Sequence, residues 1–199
     1  MILYDELLSS VEELNAQALI RFLSSELPGL WIEEYQEMTP RPTQVVAATF
    51  NGFQYLFDYY SILDASGGKV AHSRSGEDWL VAVFGVSGAP QSSRDRTRMR
   101  GWCGATEKSF GSAWDKGHFI AHSMGGGLAI NIFQQRREVN RGWSEAGRLY
   151  RSMEKYCSTN PGTFCFSRPL YEDLTGCPSA LEFGLLRADG GLWVERFRN

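Results

Sequence analysis

The sequence has few of the features that hold small domains together by covalent or metal bonds. Its 199 residues include only four cysteines, Cys103, Cys157, Cys165 and Cys177, and no two of them have the CxxC spacing of a zinc ribbon. Reduced thiols in the core are the simplest interpretation. The last three lie close enough in sequence to form one disulfide, if the protein reaches an oxidising compartment.

Long apolar runs are also absent. No stretch approaches the roughly 18 apolar residues of a membrane span. The first residues, Met1 to Glu6, lack the basic and apolar regions of a secretory signal. We therefore expect no membrane insertion and synthesis in the cytoplasm without a signal peptide. With 43% hydrophobic and 22% charged residues, the chain has the composition of one globular domain.

An excess of positive charge, the usual sign of a nucleic-acid partner, is missing as well. The formal net charge is −3. The distribution is nevertheless uneven, because residues 1–90 carry 4 basic and 12 acidic side chains, whereas residues 91–160 carry 12 basic and 6 acidic. This basic middle third indicates an anionic ligand, although a helix face laced with salt bridges gives the same count.

The amino-terminal part has the apolar spacing of a helix. Apolar residues recur at three- and four-residue steps from Leu3 to Phe22, and Pro28-Gly29 is typical of a helix end. We expect one amphipathic helix or two short ones over residues 3–27. This helical region packs on its own domain or docks to another protein.

The remaining segments predict an α+β fold with an antiparallel sheet core. Residues 44–62 and 79–86 are rich in β-branched and aromatic side chains and are expected to form antiparallel strands. Further strands are predicted near the carboxyl end, with Asp189-Gly190-Gly191 as a hairpin turn. The Arg-rich residues 87–106 predict an exposed loop.

The most informative segment is WDKGHFIAHSMGGG, residues 114–127, which Asn131, Gln135 and Asn140 follow. Each piece is weak evidence alone, since a single histidine is more often structural than catalytic and a glycine run is more often a turn than a phosphate cradle. His118 and His122 have the spacing of a zinc-protease helix. That class is disfavoured, because no glutamate follows His118 and the glycines would end the helix.

Taken in order, these residues resemble the DNA/RNA non-specific endonucleases, a family with a ββα-metal (His-Me) finger and an Asp-Arg-Gly-His signature. The matching positions are Asp115, Gly117 and His118, a Gly-Gly pair, Asn131, Gln135 and Asn140. Lys116 stands where Arg is commoner in the signature. Lysine keeps the charge but loses the bidentate fork, so we expect a changed rate or substrate pose. The resemblance covers residues 110–199 and leaves residues 1–90 unexplained.

The resemblance implies a metal-dependent nuclease that hydrolyses phosphodiester bonds of DNA without sequence specificity, with RNA left open as a second substrate. His118 is predicted to be the general base, because an imidazole with a pKa near 6.5 takes a proton from water at neutral pH. Asn140 offers a hard, neutral amide oxygen and is predicted to ligate Mg²⁺, with Mn²⁺ or Ca²⁺ as alternatives. The other residues predicted to contribute to catalysis are Asp115, Lys116, Asn131, Gln135 and Arg148; Asn131 and Gln135 would organise the loop.

Glu154 stands where many members of the family carry a further acidic residue, and it is predicted to lie near the metal. A continuous helix would separate it from Asn140 by about 21 Å, which is too far to share an ion. The helix must therefore break between them. Gly142 is placed to end the first helix and Ser144 to cap the next.

Arginines flank the proposed metal residues and are predicted to contact the phosphate backbone without reading bases. The alternative for some of them is ion pairing with Glu138, Glu145 or Glu154. The predicted nucleic-acid contacts are Arg98, Arg100, Arg136, Arg137, Arg141 and Arg151.

The expected organisation is a single nuclease domain over residues 1–199. It comprises a helical region (1–43), a sheet-forming region (44–109), the ββα-metal motif (110–160) and carboxyl-terminal strands (161–199). Because an unspecific nuclease endangers the cell that makes it, we expect a bacterial toxin or effector that is exported or delivered, with a cognate immunity protein. The rival hypothesis is a nucleic-acid-binding or protein-interaction module on the same fold, without catalysis.

Overall fold

The computed structural model describes residues 2–9, 11, 15–40, 42–58, 79–90, 111–173 and 176–199. Within them the fold is α+β, with a mostly antiparallel sheet core and few helices. In chain order the elements are α1 (Tyr4–Ser9), α2 (Ala16–Met38), β1 (Val45–Phe50), β2 (Phe53–Asp58), β3 (Trp79–Val86), β4 (Trp114–His118), β5 (Ile132–Arg136), α3 (Arg137–Asn140), α4 (Glu145–Thr159), β6 (Phe164–Leu170), β7 (Ala180–Leu186) and β8 (Leu192–Arg198).

Six strands form the larger sheet in the order β1-β2-β3-β6-β7-β8, and every neighbouring pair is antiparallel. The predicted strands at 79–86 and near the carboxyl end are confirmed. The predicted turn at Asp189-Gly190-Gly191 joins β7 to β8, where the Arg187 N–H donates to the Gly191 carbonyl at 2.8 Å.

The predicted strand region 44–62 contains a hairpin that the sequence analysis did not separate. Asn51 and Gly52 form its two-residue turn and have φ angles of 53° and 82°. Positive φ at both central positions is the requirement of a type I′ turn, for which Asn-Gly is the favoured pair. The hairpin therefore follows from local chemistry.

The prediction that Pro28-Gly29 ends the amino-terminal helix is wrong. Two helices form, and α2 continues through Pro28 to Met38. Its buried stripe, Leu23, Leu27, Trp31 and Tyr35, repeats every four residues across the proline. A proline inside a helix costs about 3 kcal/mol, but burying each large apolar side chain returns about 1.5–3 kcal/mol. Two aromatic residues beyond Pro28 therefore offset the break.

The larger sheet is covered on both faces. On one face, Trp31 of α2 packs against Phe84 and Phe166, with ring centroids 5.5 and 4.9 Å apart. On the other face, α4 and the β4–β5 pair share a core with strands β2, β3 and β7. Tyr150 of α4 contacts Phe183 of β7 in that core. The β4–β5 pair is thus held against the larger sheet.

The described cysteines, Cys157, Cys165 and Cys177, are free thiols, and the first two are fully buried in the core. No helix within the described ranges is long and apolar enough to span a membrane. Some predictions fall outside these ranges: most of the Arg-rich loop, the end of the strand region 44–62, and Cys103.

Candidate functional site

The residues of the signature lie on β4, which pairs antiparallel with β5. Asp115 lies opposite Gln135, Gly117 opposite Phe133, and His118 opposite Ile132. Because side chains alternate along a strand, Lys116 and His118 share one side of the pair. Asp115, Gly117 and Gln135 share the other.

Gly117 is required by the side chain of Gln135. A Cβ atom built on Gly117 would lie 2.7 Å from the Cβ of Gln135 and would overlap its amide oxygen. Gln135 is 2% exposed and lies beside the buried Tyr150 phenol. The glycine of the signature therefore makes room for a cross-strand amide that is buried next to α4.

Tyr150 holds the end of β4. Its hydroxyl donates a hydrogen bond to the His118 carbonyl at 3.2 Å. Burial, and next the charge of Glu154, raise the pKa of the Tyr150 phenol well above its ordinary value. The phenol is therefore protonated at any working pH and remains a donor to His118, whose own side chain is buried.

Asn131 fixes the chain that follows His118. Its side chain is fully buried, and Oδ1 accepts from the Ile120 N–H at 2.9 Å. Its Nδ2 donates to the carbonyls of Ile120 and Gly127, both at 2.8 Å. The main chain adds a hydrogen bond from the Phe119 N–H to the Asn131 carbonyl at 2.9 Å. One amide thus closes the loop between β4 and β5 at both ends.

Gly125 to Gly127 form part of that closed loop. Gly125 has φ of 95°, and the Gly126 N–H donates to the Ala121 carbonyl at 3.0 Å. A Cβ atom at Gly126 would overlap the Ile120 carbonyl. Gly125 is therefore favoured by its left-handed conformation, and Gly126 by the close approach of two main-chain segments.

Asp115 is the centre of the densest polar cluster on the pair. Its carboxylate accepts from Arg141 Nε at 2.6 Å and Nη2 at 3.1 Å, and from Arg137 Nε at 3.1 Å. Asn140 Nδ2 donates to it at 3.4 Å. Burial alone would raise the pKa of Asp115, but hydrogen bonds from Arg141, Asn140 and Arg137 outweigh it and hold the pKa below its ordinary value.

The predicted helix break before Glu154 is confirmed. Helix α3 ends at Asn140, Gly142 follows with φ of 72°, and Ser144 caps α4 by accepting from the Gly147 N–H at 3.0 Å. Glu154 is buried and pairs with Arg151 at 3.0 Å. The structure thus places Glu154 beside Tyr150, while its role at a metal stays a prediction.

The predicted nucleic-acid contacts show different environments. Arg151 is exposed and paired with Glu154, as the ion-pair alternative expected, whereas Arg137 and Arg141 pair with Asp115. Arg136 is exposed and lies 5.2 Å from the Trp114 ring centroid. Arg148, predicted to contribute to catalysis, is exposed on α4. Arg98 and Arg100 lie outside the described residues.

The side chains near Asn140 do not form a complete metal site, but the Asn140 amide oxygen is a suitable ligand for a hard divalent cation. In the part of the chain that the structure describes, no group of three or more His, Cys, Asp or Glu side chains could hold an ion by itself. The Asn140 amide nitrogen faces Asp115, which directs its oxygen away from that carboxylate. One amide oxygen, completed by water and substrate phosphate, suits Mg²⁺.

Comparison with known proteins adds little to this geometry. No family model matches the chain, and no curated protein matches it. One solved structure that does match is that of Sda1 nuclease with a bound zinc ion. It is 15% identical, the match covers 84% of this chain and 81% of that chain, and the TM-score is 0.39. A likeness at this level supports no argument about function.

Two residues of this region were missed by the sequence analysis. Tyr150 contacts His118 and Gln135 from 32 and 15 positions away, which no local pattern reveals. Trp143 is 62% exposed at the break between α3 and α4. A tryptophan directly after a helix-ending glycine in a basic segment was the available signal for it.

Proposed function

We propose that this chain is a metal-dependent nuclease that hydrolyses phosphodiester bonds of DNA and RNA without sequence specificity, on a ββα-metal motif formed by β4, β5 and the helices after them. The observation that carries the proposal is the Asp115 cluster. It connects Asn140, the predicted ligand, to the strand that bears His118. Asp115 and Asn140 are 25 positions apart in the sequence.

The chemistry assigned to the chain's own residues is simple. His118 would take a proton from the attacking water, and the rigid main chain around it would fix the imidazole. Lys116, on the same side of β4, would stabilise negative charge on the phosphate. Asn131 and Gln135 would position these groups through the contacts described above.

Asn140 would hold the cation through its amide oxygen, with Glu154 contributing through water. A bound Mg²⁺, Mn²⁺ or Ca²⁺ would polarise the phosphate and stabilise the leaving oxygen. Arg141 supports this arrangement from the side. It is 46% exposed and uses Nε and Nη2 for Asp115, so its remaining N–H groups can reach a substrate phosphate.

Arg136, Arg137, Arg141 and Arg151 are proposed to contact the phosphate backbone. Arg148 is proposed to act beside the site from the first turns of α4. A single domain, export or delivery as a bacterial toxin, and a cognate immunity protein remain predictions from the sequence.

The test is cleavage by purified protein of plasmid, single-stranded DNA and RNA, with each of the three metals and with EDTA. We expect cutting with metal and none with EDTA. His118→Ala should lower the rate by about 10² to 10⁴, and Asn140→Ala should lower it and weaken the metal dependence. His122→Ala is the matched histidine control, because that residue lies in the loop and has no proposed role.

The proposal is refuted if all substrates stay intact with every metal, or if His118→Ala cuts as fast as the wild type. Binding to nucleic acid that persists in EDTA, without any cutting, would instead favour a binding module on the same fold.

A further inference from the structure

Trp143 is a large aromatic side chain that the fold presents to solvent. It follows Gly142 in the break between α3 and α4, and it is 62% exposed. Its main chain is fixed on both sides, because its N–H donates to the Glu138 carbonyl at 2.8 Å and its carbonyl accepts from Arg148 Nη1 at 3.4 Å. The main chain that carries the indole is therefore tied to both α3 and α4.

The ring of Trp143 is joined to the Asp115 cluster. The Arg141 guanidinium carbon lies 5.1 Å from the ring centroid, which is a cation–π distance. The same guanidinium makes two hydrogen bonds to Asp115, which also accepts from Asn140. An exposed aromatic face thus lies a few contacts from the residue proposed to hold the metal.

We propose that Trp143 is a stacking platform for an unpaired base next to the phosphate that Arg141 contacts, so that the protein prefers single-stranded nucleic acid. This inference rests on the proposed function only in placing the stacked base beside the cleaved phosphate. Every base offers a flat face to an aromatic ring. In a duplex those faces are covered by neighbouring base pairs, so only an unpaired or extruded base can reach the indole.

The charges around Trp143 favour a polyanion over a protein partner. Tryptophan is common in protein interfaces. Here, however, Arg141 lies against its ring and Arg148 against its carbonyl. The segment 136–151 carries five arginines, and its only acidic residues are Glu138 and Glu145. A backbone phosphate beside the stacked base would meet those arginines.

The experiment measures binding to labelled oligonucleotides by fluorescence anisotropy, at low salt and in EDTA so that no cleavage occurs. The three probes are a single strand, its duplex, and the same single strand carrying abasic sites. The variants are Trp143→Ala and Trp143→Phe. Trp193→Phe is the matched control, because Trp193 of β8 also lies against an arginine, Arg187, at 4.5 Å.

We expect Trp143→Ala to weaken binding to the single strand about tenfold, in the range of one stacked base. Binding to the duplex and to the abasic strand should change little. Trp143→Phe should retain most of the affinity, and Trp193→Phe should match the wild type.

The inference is overturned if the wild type does not bind the single strand, or if Trp143→Ala binds it as tightly as the wild type does. It is also overturned if Trp143→Ala loses equal affinity for the intact and the abasic strand. If Trp143→Ala loses affinity only for the strand that carries bases, and the wild type cuts no substrate, the nuclease proposal is refuted and the stacking proposal is supported. If the wild type cuts nucleic acid and Trp143→Ala binds the single strand as tightly as the wild type does, the stacking proposal is refuted and the nuclease proposal is supported.

Discussion

Asn131→Ala removes the side chain that closes the loop after His118. Three main-chain groups would lose their partner: the Ile120 N–H and the Ile120 carbonyl in a buried position, and the Gly127 carbonyl in a partly buried one. An unpaired buried polar group costs about 1–3 kcal/mol. We therefore expect the free energy of unfolding to fall by about 3–6 kcal/mol, a large part of the 5–15 kcal/mol typical of a domain.

Asn131→Asp separates hydrogen bonding from volume. Aspartate has nearly the same size and keeps the acceptor for the Ile120 N–H, but it turns a charged oxygen towards two carbonyls. At neutral pH we expect a loss at least as large as that of Asn131→Ala. Burial and the facing carbonyls would raise the pKa of the new carboxyl in the folded state. The part of the loss that comes from ionisation should therefore diminish as pH falls through that raised pKa and be absent below about pH 4. The protonated carboxyl donates only one hydrogen bond, so one of the two carbonyls stays without its partner and wild-type stability is not reached.

The assay is urea unfolding followed by circular dichroism at several pH values. Asn160→Ala is the matched control, because the Asn160 amide donates to the Tyr156 carbonyl at 2.8 Å in an exposed position, where we expect a loss below about 1 kcal/mol. The reasoning is refuted if Asn131→Ala unfolds at the same urea concentration as Asn160→Ala. It is also refuted if Asn131→Asp is more stable than Asn131→Ala at neutral pH.

Two further changes test the supports of the site. Asp115→Asn should lower the free energy of unfolding by about 1–2 kcal/mol at neutral pH, and the loss is kept small because Arg141 is 46% exposed. Since the pKa of Asp115 is lowered in the folded state, the wild type should be the more stable protein above about pH 4 and lose this advantage as pH falls through that pKa. Urea unfolding at several pH values measures this. Gly126→Ala forces a Cβ atom onto the Ile120 carbonyl, whereas the Cβ of Gly127→Ala meets only the end of the Asn51 side chain. Calorimetry should therefore find Tm lowered by about 3–10 °C in Gly126→Ala and much less in Gly127→Ala. Equal Tm values for the two variants would contradict this account.

Local signals predicted the elements whose causes are local. Gly142 and Ser144 ended one helix and began the next as expected, since a left-handed glycine and an N-cap act within a few residues. The helix was predicted to end at Pro28, but it continues because the burial of Trp31 and Tyr35 in the core offsets the cost of a proline inside a helix. That burial depends on tertiary structure, which a local pattern does not contain.

The same division applies to the site. The order of Asp115, His118, Asn131 and Asn140 in the sequence indicated one functional unit. It did not reveal that Asp115 takes Arg137 and Arg141 as partners from 22 and 26 positions away. Those pairs depend on how α3 lies relative to β4, which no local pattern in the sequence gives.

Because side chains alternate along β4, the signature residues divide into a structural set on one side of the strand and a proposed catalytic set on the other. Asp115 and Gly117 lie on the side of β4 that contacts Gln135 and α3, so their changes should lower stability. Lys116 shares the opposite side with His118, so its changes should alter rate instead. Lys116→Arg restores the fork that matches a phosphate. We expect Lys116→Arg to change kcat for nucleic-acid cleavage, as measured by cleavage kinetics. Its free energy of unfolding, measured with urea, should stay within about 0.5 kcal/mol of the wild-type value. A variant that unfolds like Asp115→Asn would show that Lys116 belongs to the support, and that alternation along β4 does not separate the two roles.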